Sequence, residues 1–269
     1  MAHLKGPIQF TGSIGNIRAY YDKSLKKYIL STKGGASKNL IMNNPAFART
    51  RDNLNEFKAC AKWSSMLRKS LLCIEHLHFS RYFSEIVKLS KEIQTRDEAG
   101  LYGYRAIEPS KASHLLKEIN FNRQHPFLGI IRDEFRVEFS EDKKTAIFSM
   151  PGFIPSSRFY WPTPISFFRF YLVIAQLSDM VWKESENCYE PAIRNLGRLT
   201  RCTISDWIVK DTSPVDILME VSFDEPALAQ LATTVIVALG IEVAMGVAGG
   251  CAYIQPGNGT MAIVECFVS

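Results

Sequence analysis

The run "LAQLATTVIVALGIEVAMGVAGGCAY", Leu228 to Tyr253, constrains this chain more than any other stretch. Glu242 interrupts it, and Gly240, Gly246, Gly249 and Gly250 break its second half. It therefore lacks the roughly 20 clean apolar residues that a membrane helix needs. Its cluster Thr233-Thr234-Val235-Ile236-Val237 is β-branched, which favours a strand, here one buried in a sheet. "FFRFYLVIAQLSDMVW" reads as a second long strand and "DILMEVSF" as a shorter one. "FRVEFSEDKKTAIFSM" reads as a hairpin turning at residues 141–144, and "CAYIQPGNGTMAIVECFVS" as a final hairpin turning at residues 256–259. The Pro-rich "PGFIPSSRFYWPTPIS" reads as a loop, and its aromatics Phe159, Tyr160 and Trp161 suit a protein interface.

A weak internal repeat runs through these strands. "TAIFSM", a Pro loop and "SFFRFYLVIAQLSDM" are matched by "ILMEVSF", a Pro-containing loop and "ATTVIVALGIEVAM". Each unit is a short strand, a loop and a long apolar strand, which predicts two related sheet halves, as in a sandwich. Ahead of them lies a helical zone. Asn44-Pro45 is a helix start, with Asn capping and Pro at the first helical position. Phe47, Leu54, Phe57, Ala61 and Leu67 or Leu71 then recur at helical spacing. A second helix is expected over Phe79–Ile93 and a third from Ser110 or Lys111. The fold class expected is α+β: a basic N-terminal β-hairpin (1–40), a small helical region (41–125) and a C-terminal antiparallel β-sandwich of Ig-like kind (126–269).

The hairpin is read from alternation. Ile17, Ala19 and Tyr21 alternate with Arg18, Tyr20 and Asp22; after "SLKK", Tyr28, Leu30 and Thr32 alternate with Ile29, Ser31 and Lys33. Charge is split along the chain. Residues 1–72 hold thirteen Lys/Arg against three acids, and residues 73–269 nineteen against twenty-four, within a net charge of +5. Such an asymmetry serves either a phosphate backbone or an acidic surface on another copy of the protein. The candidate contact residues are Arg18, Tyr20, Tyr21, Lys23, Lys26, Lys27, Tyr28, Lys33, Lys38, Arg49 and Arg51. Cations beside aromatics bind phosphates and stack on bases; they equally suit an arm that docks on a partner's sheet edge. A solvated basic face is the third reading. A two-stranded hairpin is marginal in water unless it packs on something, which favours contact between copies, with nucleic acid as the alternative partner.

No pattern selects a reaction. G-x-S-x-G, H-E-x-x-H, a Walker loop and a strand-linked G-x-G-x-x-G are all absent from the sequence. "GSIGN" runs into a strand and "KGGASK" precedes its helix by about ten residues, so their glycines read as turn formers rather than phosphate cradles. Glu141, Asp142, Asp179, Glu184, Glu186 and Asp206 show no spacing that forces two carboxylates into one site. The six cysteines form no C-x-x-C pair, and His76 and His78, two apart, cannot share a metal on a helix. No cofactor, metal or small-molecule substrate is expected. Scattered thiols and an N-terminus without an apolar signal core predict a cytoplasmic protein or assembled particle, with neither export nor membrane insertion.

The opening residues carry a resemblance. Gly12, Gly15, Asn16, Thr32, Lys33, Gly34, Pro45, Phe47, Thr50, Arg51, Asn53, Glu56 and Phe57 lie in "GSIGNIRAYYDK…YILSTKGGASK…NNPAFARTRDNLNEFKACAK". This resembles the start of a group of uncharacterised proteins of Bacteroidetes type, and such openings look like those of phage-type structural proteins. It covers about the first 70 residues. It carries no activity with it and brings no catalytic residue.

Overall fold

In the computed structural model, all residues are described except 1, 4–9, 24, 33, 79–81, 118, 142–143, 195–198, 225–231, 248–249, 254–258 and 269. The contacts divide the protein into two units, Met1–Arg51 and Asp52–Ser269.

In the first unit the alternation of residues 17–32 becomes an antiparallel sheet. Its strands are β1 (Ala2–His3), β2 (Gly12–Ile14), β3 (Ile17–Asp22) and β4 (Lys27–Thr32), in the order β1-β4-β3-β2. Gly15 takes φ +55° in the tight turn between β2 and β3, a conformation that glycine adopts without strain. The short helix α1 (Lys38–Asn43) is capped by Ser37, whose hydroxyl accepts from the Leu40 N–H at 3.2 Å. Asn44 caps the next turn as the sequence predicts, accepting from the Ala46 N–H at 2.9 Å ahead of Pro45–Phe47 and the long helix α2 (Ala48–Ser70). The boundary between the units falls inside α2.

The second unit continues with a 3₁₀ helix, Leu72–Leu77, and helix α3 (Tyr82–Thr95); Phe79 lies outside the described residues. The strands follow: β5 (Ile119–Asn120), β6 (Arg136–Phe139), β7 (Thr145–Phe153), β8 (Phe167–Ser178), β9 (Met180–Lys183), β10 (Cys188–Pro191), β11 (Thr200–Ile204), β12 (Ile208–Val209), β13 (Val215–Ser222), β14 (Thr233–Val247), β15 (Gly250–Tyr253) and β16 (Gly259–Val268). The large sheet runs β11-β8-β14-β16-β5, with β12 also on β8 and β15 also on β14; the small sheet is β13-β7-β6. The protein is thus α+β with packed antiparallel sheets.

The near-continuous apolar runs have a simple cause: β8 and β14 are covered on both faces, so neither face needs polar residues. Tyr171, Val173, Ala175, Leu177, Ile236 and Ala238 enter a core shared with Trp63, Leu67, Ile74 and Ile86 of the helical layer. Phe168, Phe170, Leu172, Ile174, Val235, Val237 and Leu239 enter a second core with Phe148, Met150, Ile217 and Met219 of the small sheet. Each such residue contributes about 2 kcal/mol by leaving water. Residues 52–125 therefore share their core with the large sheet.

The repeat seen in the sequence takes a definite form. β7 pairs antiparallel with β13, and β8 pairs antiparallel with β14 from Thr233↔Ser178 to Ala244↔Phe167. Each repeat unit crosses from the small sheet to the large one, and like strands pair with like.

Several expectations are corrected. Leu54 and Phe57 point outward, and the inner stripe of α2 is Glu56, Ala59, Cys60, Trp63 and Leu67. The helix expected from Ser110 is a single 3₁₀ turn, Ser113–Leu115. Asp179 holds the Ser110 N–H and hydroxyl, and by Ile119 the chain has joined β16. Among the described residues β15 and β16 do not pair with each other. β14 is 15 residues long and takes both along one side, β16 against residues 234–242 and β15 against 244–247. Residues 256–258 of the expected turn, like 142–143 of the β6–β7 turn, lie outside the described residues. In the Pro-rich segment β7 runs on to Phe153 and Pro155–Arg158 forms one helical turn. Phe159 and Trp161 are core residues there, and only Tyr160 of the three aromatics is exposed.

Candidate functional site

The register of the N-terminal sheet sorts the candidate contact residues onto two faces. Directly paired residues share a face. Ile14↔Ile17, Ile17↔Thr32, Ala19↔Leu30 and Tyr21↔Tyr28 place one apolar set together; Arg18↔Ser31, Tyr20↔Ile29 and Asp22↔Lys27 place a polar set on the other side. The Tyr21 and Tyr28 rings meet edge-on with centroids 5.0 Å apart, and the Arg18 guanidinium sits 5.6 Å from the Tyr20 ring centroid. Lys23 and Lys26 lie at the β3–β4 turn, where Asp22 accepts from the Leu25 N–H at 3.0 Å. Lys38 opens α1, and Arg49 lies in the first turn of α2. Arg51 is committed to structure: it donates to the Ile41 and Asn44 carbonyls at 2.8 and 2.9 Å, tying α1 to α2. Lys33 lies outside the described residues.

What sequence reasoning missed is the exposure of three members of the apolar set. Ile14 is 65%, Ile17 42% and Tyr21 44% exposed, and Ala19 and Ile29 alone are buried among the described residues of this unit. The alternation was the available signal, but it does not say which face points outward. The unit is also strongly basic: residues 1–51 carry nine Lys/Arg and one acid, Asp22, against twenty-three and twenty-six in residues 52–269.

The second unit presents an acidic surface of its own. The pairs Arg136↔Ser149 and Leu218↔Ser149 put Arg136 and Leu218 on the outer face of the small sheet, with Glu138 and Glu220 two residues further along their strands. Glu134, Glu138, Asp216, Leu218 and Glu220 are exposed, Leu218 by 74%. A shallow groove of about 770 Å³ crosses this face, lined by Asp133, Glu134, Pro151, Asp216 and Leu218 among others. Among the described residues β6 pairs with β7 alone, so this sheet has an open edge.

Two buried carboxylates form polar centres elsewhere in the second unit. Glu56, fully buried on α2, accepts from Arg105 Nε and Nη2 at 2.7 and 2.9 Å, from the Gly103 N–H at 3.0 Å and from Lys91 Nζ. Burial would raise its pKa, but the Arg105 and Lys91 donors and the Gly103 N–H outweigh that and hold it at about 2. Glu242, the acid that interrupts the apolar run, accepts through one oxygen from Arg169 Nε and the Tyr171 hydroxyl at 2.7 and 2.8 Å. His76 Nε2 stands 3.6 Å from its other oxygen, and the Arg169 guanidinium lies 4.5 Å from the Trp207 ring centroid. Burial and the Glu242 carboxylate push the Tyr171 hydroxyl well above the usual tyrosine range. Both centres are charge-compensated from within, and such pairs hold elements in register.

Glu186, Cys188 and Glu190 bring three metal-ligating atoms within 4.8 Å of one another on the β9–β10 hairpin. Arg194 already pairs with Glu186 and Lys62 with Glu190. Among the described residues no helix is long and apolar enough to cross a membrane.

No family model, curated protein or solved structure matches this chain. Its role is read from its own residues.

Proposed function

We propose that this protein is a non-enzymatic structural subunit that assembles with copies of itself into a particle, tube or phage-like assembly. The observation that carries the reading is the exposed apolar face of the N-terminal sheet: Ile14, Ile17 and Tyr21 share one side of a small unit with two buried residues. A sheet this small gains stability when that face is covered. The occupant is a second copy, because the basic first unit complements the acidic outer face of the small sheet, with exposed Leu218 at its centre. Arg18, Lys23, Lys26 and Lys27 steer the encounter, and the apolar residues supply most of the affinity.

Light scattering across a concentration series tests this. The full-length protein is expected to gain mass with concentration, more so at low salt because exposed charges are screened at high salt. The pair Ile17→Asp and Tyr21→Asp should weaken association roughly tenfold or more, and Leu218→Asp on the receiving face should do the same. Monomers at every concentration and salt would overturn the reading. Should those monomers instead bind DNA with an affinity that falls steeply with salt, the cations serve nucleic acid, which is the alternative reading.

A further inference from the structure

The small sheet, β13-β7-β6, has two edges, and they differ. At β13 the Phe223 N–H donates to the Lys144 carbonyl opposite it at 2.9 Å. Bonded pairs alternate along an antiparallel ladder, so Glu220 turns its carbonyl away from β7. There it accepts from the Thr203 hydroxyl of β11 at 2.9 Å, which closes that edge. At β6 the Ser140 N–H donates to the Thr145 carbonyl opposite it at 2.8 Å, so Glu138 and Arg136 are the residues bonded to β7. Val137 and Phe139 therefore turn their N–H and C=O groups outward, and among the described residues no strand receives them. The usual guards of an open edge, proline, lysine or a bulge, are missing: β6 reads Arg136-Val137-Glu138-Phe139 in unbroken register with β7.

We propose that β6 is the seam of a two-fold dimer: it pairs antiparallel with β6 of a second copy and joins their small sheets into one. The segment Phe135-Arg136-Val137-Glu138-Phe139 complements its own reverse. Centred on Val137, it sets Val137 against Val137 of the second copy, where both backbone bonds are exchanged. Arg136 then stands opposite Glu138 of the second copy, Glu138 opposite Arg136, and Phe139 opposite Phe135. Centring on Glu138 instead would set two glutamates face to face, which disfavours it. Exposure alternates to match. Arg136 and Glu138 are exposed, while Phe135, Val137 and Phe139 are half-buried against the core beneath the small sheet. The charge pairs thus fall on the outer face and the apolar pairs on the inner one. Within one copy, neither Arg136 nor Glu138 makes an ion pair among the described residues. Such a contact uses the same patch on both copies and closes at two. It involves no N-terminal residue, so it stands independently of the contact proposed above, and the two together link dimers into a larger assembly.

The test starts from the full-length protein carrying Ile17→Asp and Tyr21→Asp, which removes the N-terminal contact. In light scattering this parent is expected to gain mass with concentration and to level off at twice the monomer mass. Adding Arg136→Glu sets a glutamate against Glu138 at both ends of the seam and should weaken the dimer roughly tenfold or more. Adding Glu138→Arg should do the same. Mixed in equal amounts, these two variants should dimerise about as tightly as the parent, because every charge again meets its opposite. Both changes in one chain should restore the dimer too. Damage to the fold could not be repaired by mixing. A parent that stays monomeric at every concentration, reversals without effect, or a mixture no heavier than its components would overturn the proposal. Wild type heavier than the parent supports the N-terminal contact whatever the parent does, so the two readings fail separately.

Discussion

Exchanging Glu56 for glutamine is expected to destabilise the protein by about 3 kcal/mol at neutral pH. The carboxylate is fully buried, and three kinds of donor converge on it: the Arg105 fork, the Lys91 ammonium and the Gly103 N–H. A neutral amide leaves Arg105, whose side chain is 15% exposed, without its counter-charge. The residues around it tie α2, α3 and the loop through Gly103 together, since Gln94 also accepts from Lys91 at 3.0 Å and donates to the Arg105 carbonyl at 3.1 Å. The pH dependence has a definite sign. The folded pKa of about 2 lies below the ordinary 4.5, so the ionised form favours the folded state. That stability is fully present above pH 4.5 and is lost as pH falls towards 2. Urea unfolding of wild type and Glu56→Gln should therefore show a gap that is wide at pH 7 and narrows steadily below pH 4.5. An unchanged gap at pH 2.5 would mean that the ion pairs contribute nothing. Replacing Glu56 and Arg105 together should recover part of the loss.

Leu77→Ala is expected to cost about 3 kcal/mol, and the reason lies in two glycines. Leu77, at the end of the 3₁₀ helix and 1% exposed, reaches across Gly240 of β14 and Gly259 of β16. A Cβ on Gly240 would stand 2.6 Å from Leu77 Cδ1; one on Gly259 would stand 2.5 Å from Leu77 Cδ2. The glycines make a notch in the sheet, and the leucine fills it. Gly240→Ala alone should therefore overpack the site by about 2 kcal/mol. Combined with Leu77→Ala it should cost less than the sum, with a coupling of about 1–2 kcal/mol. Gly259→Ala should not be rescued in this way, because its Cβ would also meet the Ile241 carbonyl oxygen at 2.8 Å, and backbone does not yield as a side-chain tip does. Denaturant midpoints for the five variants check this; equal rescue at both glycines would remove the notch as the explanation.

How far the fold could be read before the structure depended on whether a signal was local. β14, β8, the 17–32 hairpin and the Asn44-Pro45 start were legible because their apolar period or cap chemistry sits in consecutive residues. The face of α2 was not. Leu54 and Phe57 look like core by hydropathy, while Glu56 goes inside because Arg105 and Lys91, far along the chain, come to meet it. Glu242 is the same lesson in a strand: its presence in an apolar run was visible, its partners Arg169 and Tyr171 were not. For the candidate surface, the two faces of the hairpin could be sorted from alternation alone. That Ile14, Ile17 and Tyr21 of the apolar one are exposed while Ala19 is buried could not, because exposure is a property of everything around a residue.

The pairing of like strands has a consequence for biosynthesis. β8 is buried along almost its whole length, yet its longest neighbour, β14, begins only at Thr233. A nascent polypeptide on the ribosome must keep residues 167–178 out of trouble until residues 233–247 have been translated, with β11 and β12 as the sole earlier strands that pair with β8 among those described. Productive folding then waits on the arrival of one late strand, so truncation before that point should yield insoluble material rather than a smaller folded domain.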